Sequence, residues 1–249
     1  MARAATERLD QLLVDRGLAE SRARAQALVL AGKVFRGEQR LDKPGTRIAL
    51  DTPIEVRGEL HPWVSRGGLK LVAALDRFAI DPLGAIALDV GASTGGFTDV
   101  LLARGAARVY AVDVGHGQLA WKLRQDPRVV VLERTNARHL TAAEVPDPVD
   151  LVVCDASFIG LETVLPAPLA LAAPGAALVA LIKPQFEVGR ARVGKGGIVR
   201  DPALHQEVCD RIRGWIDGLP GWRTVGIVDS PVLGADGNRE FLICARRAP

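Results

Sequence analysis

The sequence contains few cysteines, aromatic residues and lysines. Its three cysteines are odd in number and show no CxxC spacing, so we expect neither a disulfide framework nor a zinc site. Aromatic residues make up 4% of the 249 residues, against 48% hydrophobic and 24% charged residues. These proportions exclude fibrous, collagen-like and mainly disordered proteins and predict an ordinary globular protein. The cysteine usage predicts a protein of a reducing compartment.

Long apolar segments are also scarce. Charges recur from Arg3 onward where a signal peptide would have an apolar stretch, so we expect a cytoplasmic protein. Residues 163–182 lack charge over a length that approaches a bilayer span. Prolines interrupt this segment, however. We therefore predict a short helix, a turn at Pro174-Gly175 and a buried strand at 176–182 rather than a membrane span.

Basic residues concentrate near the amino terminus. Residues 22–47 carry seven cations and two anions, a net charge of +5, whereas the whole chain has a net charge of +3. Helical periodicity over residues 8–32 precedes several short strands. We predict a small α+β domain at 1–60, a linker at 61–66 and a larger domain at 67–249. The basic segment favours contacts with nucleic-acid phosphates, with a solvated charged surface as the alternative.

Strands and helices alternate through the larger domain. This alternation predicts a doubly wound parallel sheet. A helix is expected at 202–219, near the carboxyl end. The predicted strands are 86–90, 109–113, 129–132, 151–154, 176–182, 224–228 and 240–245.

A glycine-rich turn, Asp89-Val-Gly-Ala-Ser-Thr-Gly-Gly-Phe97, follows the first of these strands, at the sheet edge where such folds bind nucleotides. Ser93 replaces the middle glycine of a dinucleotide fingerprint, which disfavours a pyrophosphate. Asp113 ends the next strand at the spacing of a ribose-binding carboxylate. With Asp89 and Asp155 nearby, the crevice favours a cationic cofactor. S-adenosylmethionine meets these requirements; a glycine turn with only a packing role is the alternative.

The rarity of lysine points to a candidate base. The chain has 26 arginines and only six lysines. An amine can lose its proton when it is desolvated or close to another cation, whereas a guanidinium stays charged. Lys183 directly follows a buried predicted strand, and Asp155 ends the neighbouring strand. Lys70 lies on the helix that begins the larger domain, and Glu240 begins its last predicted strand. Each residue alone is typical of a surface ion pair, but together the four suit general base catalysis.

These motifs resemble those of the TlyA family, bacterial proteins called haemolysins that act as ribosomal RNA 2′-O-methyltransferases. Residues 6–60 resemble an S4-like RNA-binding domain, through Arg8-Leu-Asp-Gln-Leu-Leu13 and Ser21-Arg-Ala-Arg-Ala25. From about residue 64 the chain is similar to an FtsJ-type methyltransferase domain. The motifs that carry this second similarity are Ser65-Arg-Gly-Gly-Leu-Lys70, Asp89 to Phe97, Asp155-Ala-Ser-Phe158, Lys183-Pro-Gln-Phe-Glu187 and Asn238-Arg-Glu240.

The resemblance implies a Rossmann-like α/β domain with the seven strands of a class I methyltransferase, beside a small α+β S4-like domain. It also implies S-adenosylmethionine as cofactor, and ribosomal RNA or ribosomal subunits as partner. The expected reaction is 2′-O-methylation of cytidine in 16S or 23S rRNA, with no metal. A haemolysin-like membrane-active protein and a non-catalytic ribosome-binding protein are the alternatives.

Three sets of site residues follow from the resemblance. The implied catalytic residues are Lys70, Asp155, Lys183 and Glu240. The implied cofactor contacts are Gly91, Ala92, Ser93, Thr94, Gly95, Phe97, Thr98, Asp113 and Asn136. The implied RNA contacts are Arg8, Arg22, Arg24, Lys33, Arg36 and Lys43.

Overall fold

The computed structural model describes residues 5–19, 21–30, 32–57, 61–234 and 237–249, and the chain divides into two compact units, 1–60 and 61–249. The described residues of the smaller unit form two helices and five short strands. These are β1 (Thr6–Arg8), α1 (Leu9–Asp15), α2 (Arg22–Leu30), β2 (Val34–Arg36), β3 (Gln39–Arg40), β4 (Arg47–Ala49) and β5 (Glu55–Val56).

The two helices of the smaller unit pack against each other through leucine, alanine and valine side chains. Leu9, Leu13, Ala25 and Val29 are fully buried. β1 pairs with β4, and β2 pairs with both β3 and β5, all in antiparallel orientation. Ser21 Oγ accepts a hydrogen bond from the backbone N–H of Arg24, as expected of a residue that caps the start of α2.

The larger unit is built on a seven-stranded sheet of order β11-β12-β10-β9-β6-β7-β8. Its strands are β6 (Ile86–Val90), β7 (Arg108–Val112), β8 (Val129–Leu132), β9 (Val149–Cys154), β10 (Ala172–Ile182), β11 (Trp222–Asp229) and β12 (Phe241–Arg247). Its helices are α3 (Gly67–Arg77), α4 (Gly96–Ala103), α5 (Trp121–Arg124), α6 (Leu161–Val164), α7 (Pro166–Ala170), α8 (Pro184–Glu187) and α9 (Pro202–Asp217). The predicted seven-stranded α/β fold is confirmed.

Helices cover both faces of this sheet, so its central strands are buried on both sides. Along β10, Leu178 and Ile182 belong to one hydrophobic core, which also contains α9, while Val179 and Leu181 belong to the other, with α3 and α4. This double burial explains why residues 176–182 form a continuous apolar segment rather than an alternating pattern. In the described part of the chain, no helix is long and apolar enough to cross a membrane.

The sheet is not fully parallel, which corrects one prediction. β12 runs antiparallel to both of its neighbours, β10 and β11. A strand buried on both faces has the same apolar pattern in either direction, so the sequence did not reveal this reversal. Glu240 lies just before β12 rather than within it.

Three local predictions were also wrong. The predicted turn at Pro174-Gly175 lies within β10, which already begins at Ala172. The pairing of β10 with β9 shifts register there, so the missing N–H of proline removes no regular hydrogen bond between the strands. The alternation of strands and helices also predicts a helix at 119–125, but α5 covers only four of these residues and has no side-chain N-cap bond. Arg8, which was predicted to begin a helix, ends a strand that pairs with β4.

The segment predicted as a linker, 61–66, packs against the larger unit. Trp63 and Val64 contact its core, and the backbone N–H of Val64 donates to Asp99 Oδ2 at 2.9 Å. Because Asp99 lies on α4, this bond holds the segment beside the helix that follows the glycine-rich turn.

Candidate active site

The glycine-rich turn connects β6 to α4, and its backbone requires glycine at two positions. Gly91 has φ +81°, and a Cβ there would lie 2.8 Å from the backbone of Ala156. Gly95 has φ +95°, and a Cβ there would lie 2.3 Å from Leu123. A positive φ disfavours any other residue at both positions, and a Cβ at either would overlap neighbouring atoms. Substitution of Gly91 or Gly95 would therefore displace the turn.

Asp113 fixes the turn from the end of β7. Its Oδ2 accepts a hydrogen bond from the Ser93 N–H at 2.8 Å, and its Oδ1 accepts one from the Gly115 N–H at 2.7 Å. Each carboxylate oxygen has a second lone pair available for a further donor. The geometry therefore sets the orientation of the group that the sequence predicted to bind a ribose.

A cavity of about 690 Å³ lies at this edge of the sheet; we call it the main cavity. Several of the predicted cofactor residues line it: Gly91, Ser93, Asp113 and Asn136, together with Asp155 from the predicted catalytic set. Eight other lining residues belong to no motif recognised in the sequence: Val114, Gln118, Thr135, Ala137, Arg138, Ile159, Thr163 and Val164.

Other predicted cofactor residues lie behind the turn rather than at the main cavity. Ala92, Phe97 and Thr98 are buried, and Gly95 precedes α4. Thr94 lines a smaller cavity of about 260 Å³ with Ser65 and Arg66, at the start of α3. Ser93 and Asp155 line both of these cavities, so the smaller one adjoins the main cavity.

Asp89 is buried beneath the turn, where Thr98 donates to its Oδ2 from the backbone N–H at 3.0 Å and from Oγ1 at 2.7 Å. Its Oδ1 is buried without a hydrogen-bond partner. Burial raises the pKa of Asp89 to about 7, although the two hydrogen bonds from Thr98 oppose the increase. Burial also raises the pKa of the Cys154 thiol to about 12, so this cysteine is not a nucleophile at neutral pH.

The four predicted catalytic residues meet beside the main cavity, and we call them the ionic cluster. Lys183 Nζ lies 2.7 Å from Asp155 Oδ1, and Lys70 Nζ lies 3.7 Å from Asp155 Oδ2. Lys70 Nζ also donates to Glu240 Oε2 at 2.6 Å. Lys70, Lys183 and Glu240 are buried. Two cations thus alternate with two carboxylates, and Asp155 lies between both amines.

Two further contacts hold the amine of Lys183. Its Nζ donates to the Asp155 carbonyl oxygen at 3.0 Å and to Ser157 Oγ at 2.8 Å. The contact with Asp155 Oδ1 is an ion pair without hydrogen-bond geometry, so this buried oxygen has no hydrogen-bond donor.

In the smaller unit, two of the predicted RNA contacts surround a buried aspartate. Arg8 donates two hydrogen bonds to Asp10, at 3.0 and 2.9 Å, and Arg22 donates one at 3.1 Å. These bonds, together with one from Gln26, hold the pKa of Asp10 well below its usual range despite its burial. Both guanidinium groups stay about half exposed, so their charge still reaches the surface.

The remaining predicted RNA contacts lie around the same unit. Lys43 and Arg36 are exposed, and Lys33 and Arg24 are partly exposed. Arg36 donates to Gln39. Within the described residues, no group of three or more histidine, cysteine, aspartate or glutamate side chains is placed to hold a metal ion.

The fold and this edge of the sheet define a Rossmann-like α/β protein with a nucleoside-type cavity and an ionic cluster beside it. Comparison with known proteins specifies the class further. Residues 63–247 match the model of the FtsJ-like methyltransferases, and residues 7–52 match the S4 domain. A solved methyltransferase structure from Listeria monocytogenes, at 14% identity and a TM-score of 0.50, shares the fold alone.

Full-length relatives define the family. The chain is 52% identical over 247 residues to the 16S/23S rRNA (cytidine-2′-O)-methyltransferase TlyA of Mycobacterium tuberculosis, covering 99% of this chain and 91% of the relative. It is 41% identical to hemolysin A of Brachyspira hyodysenteriae, covering 94% and 98%. A solved hemolysin structure from Streptococcus thermophilus has a TM-score of 0.76 at 42% identity, covering 99% and 90%. The chain belongs to the TlyA family of FtsJ-like methyltransferases, which confirms the resemblance noted from its motifs.

Proposed function

We propose that this protein transfers a methyl group from S-adenosylmethionine to the ribose 2′-hydroxyl of a cytidine in ribosomal RNA. The observation that carries the proposal is the ionic cluster, because a buried lysine beside a carboxylate at a nucleoside-type cavity suits deprotonation of a hydroxyl group. The names of the family members support the choice of cytidine and of ribosomal RNA.

The cavity residues fit S-adenosylmethionine chemically. Gly91 contributes backbone without a side chain to the cavity lining, and the carboxylate of Asp113 has lone pairs left to accept from ribose hydroxyls. The carboxylates of Asp113 and Asp155 also line the main cavity, and their negative charge suits a ligand with an ammonium and a sulfonium group. When bound, S-adenosylmethionine supplies an electrophilic methyl group.

In the proposed mechanism, Lys183 acts as the general base in its neutral form. The 2′-hydroxyl would give its proton to Lys183 Nζ and form its bond to the methyl carbon, while the bond between that carbon and the sulfonium sulfur breaks and its electron pair stays on the sulfur of the departing thioether. Asp155 orients the amine of Lys183, and Lys70 contributes positive charge near the reacting oxygen. Glu240 holds Lys70 through the 2.6 Å contact. Alignment of the reacting groups contributes up to about 7–11 kcal/mol in favourable cases.

The smaller unit would bind the larger RNA through its phosphates. Its basic side chains, including Lys33, Arg36 and Lys43, provide charge without the shape needed to read bases directly. We therefore propose that this unit positions the substrate, while the larger unit carries the chemistry. The cytoplasmic location stays a prediction.

Lys183→Arg tests the proposal, because it keeps a positive charge but removes a group that can accept a proton. With ribosomal subunits that lack the modification, we expect single-turnover methyl transfer to fall by about 10²–10⁴-fold. Affinity for S-adenosylmethionine, measured by calorimetry, should stay near that of the unchanged protein. Lys33→Arg is the matched control and should retain full activity, since a phosphate contact needs mainly charge.

Two results would contradict the proposal in different ways. If mass spectrometry finds no new 2′-O-methyl group in rRNA with the unchanged protein, the reaction is wrong. If Lys183→Arg keeps most of the activity, the reaction stands but the base is wrong. Leakage of phosphatidylcholine–phosphatidylglycerol vesicles by the purified protein would instead favour the membrane-active alternative.

A further inference from the structure

A second cavity, of about 680 Å³, lies next to the main cavity. Phe158, whose side chain is largely exposed, lines both cavities. The other residues of the second cavity include Gln185 and Phe186, which follow Lys183 closely in the sequence, and Asn238, which precedes Glu240. Residues adjacent to the ionic cluster in sequence thus contribute to this cavity.

The second cavity is close enough to the ionic cluster to receive part of the same substrate. The rings of Phe158 and Phe186 lie 5.0 Å apart, and Lys183 Nζ lies 5.9 Å from the centre of the Phe186 ring. Ser157, which accepts a hydrogen bond from Lys183, is the residue before Phe158. A nucleoside with its 2′-hydroxyl at Lys183 can therefore extend its base toward the second cavity.

Gln185, which is one of the residues that line the second cavity, has an acceptor without a hydrogen-bond donor. Gln185 Oε1 is buried and makes no hydrogen bond, an unfavourable state for a carbonyl oxygen. A ligand that donates a hydrogen bond at this position would remove that cost. Cytosine has an amino group at position 4, whereas uracil has a carbonyl oxygen there, and two facing acceptors repel each other.

We propose that the second cavity takes the base of the target nucleotide and that Gln185 Oε1 accepts a hydrogen bond from the exocyclic amine of cytosine. Gln185 is then the residue that selects cytidine over uridine. This inference rests on the proposed function, because it requires that the ribose of the same nucleotide lies at Lys183. It adds a specificity residue that is separate from the ionic cluster.

The test compares two substrates that differ only at the methylated position. That position is first mapped by mass spectrometry in ribosomal subunits methylated by the unchanged protein. Subunits carrying cytidine or uridine there are then assayed under single-turnover conditions with saturating protein. We expect the unchanged protein to methylate cytidine at least tenfold faster than uridine. This ratio lies within the discrimination that hydrogen bonds to a base edge usually provide.

Gln185→Leu should reduce this cytidine-to-uridine ratio at least fivefold, mainly through slower reaction of cytidine. Its affinity for S-adenosylmethionine should change by less than twofold, because Gln185 does not line the main cavity. Gln185→Glu keeps an acceptor oxygen and should preserve the preference for cytidine. Gln206→Leu makes the same chemical change on the exposed surface of α9 and should leave both rates unchanged.

The outcomes separate this inference from the proposed function. An unchanged ratio in Gln185→Leu, with both rates lowered equally, overturns the role of Gln185 and leaves the methyltransferase assignment intact. Loss of the cytidine preference in Gln185→Glu overturns it as well, and this second variant decides the question if Gln185→Leu does not fold. If the unchanged protein methylates no rRNA, the proposed function fails, and the inference fails with it.

Discussion

Glu240→Gln removes one charge from the ionic cluster while it keeps the shape of the side chain. Glu240 is 2% exposed and Lys70 is 8% exposed, so neither charge is well solvated. The next carboxylate oxygen available to Lys70 is Asp155 Oδ2 at 3.7 Å, and Asp155 also neutralises Lys183. Removing one partner of a buried ion pair lowers the free energy of unfolding by about 3–5 kcal/mol. Because Lys70 keeps its contact with Asp155, we expect Glu240→Gln to lower it by about 3 kcal/mol.

Lys70→Met should destabilise the protein by a similar amount, because it leaves the Glu240 carboxylate buried without its cation. The double variant has neither unpaired charge and should recover at least about 2 kcal/mol relative to the sum of the single changes. Denaturant unfolding followed by tryptophan fluorescence measures this coupling in the larger unit, which contains all four tryptophans. Additive effects of the two changes would refute the reasoning. Methyl transfer should stay low in the two variants that carry Lys70→Met, since neither has the cation that Lys70 places near the reacting oxygen.

Three further changes test other parts of the molecule. Asp113→Ala should weaken S-adenosylmethionine binding by about 1.5–3 kcal/mol, and unchanged calorimetric affinity would remove the ribose assignment. Asp89→Asn tests the pKa of about 7 for Asp89. Because this folded-state pKa exceeds the unfolded value of 3.8, the folded protein loses stability as the pH rises between the two values. The unchanged protein should therefore lose up to about 4 kcal/mol relative to the asparagine variant between pH 4 and pH 7, and parallel stability curves would contradict this. Replacing Lys33, Arg36 and Lys43 by alanine should lower the slope of log affinity against log salt by up to about 0.7–0.9 for each lost phosphate contact, whereas an identical slope would favour a merely solvated surface.

The sheet and its cofactor edge were predictable because local sequence carries their signals. β6 and β8 were predicted with their observed bounds, since each is a short apolar segment between turn residues. The conformation of Gly91 and the position of Asp113 follow from the strand–turn–helix pattern that a nucleoside cofactor requires. These features depend on residues close in sequence.

The features that sequence reasoning missed depend on contacts between distant segments. The direction of β12 is set by its pairing with β10, which is more than 50 residues away in the chain. Gln118, in the loop after β7, and Thr163, on α6, both reach the main cavity because these distant segments meet at the sheet edge. Gln185 stands in a recognised motif, but only the packing around it buries its amide oxygen without a donor. No periodicity or spacing reports such an environment.

The rarity of lysine in the composition helped to predict the ionic cluster, as the positions of the six lysines show. Lys33, Lys43, Lys122 and Lys195 lie at exposed or partly exposed positions, where arginine would serve as well for charge. Lys70 and Lys183 are buried, and each contacts Asp155. A planar guanidinium at either position would need more space and would hold its proton permanently. A chain that uses arginine for most of its positive charge thus has two buried amines at one carboxylate, and the proposed mechanism requires an amine at Lys183 because only an amine can be neutral there.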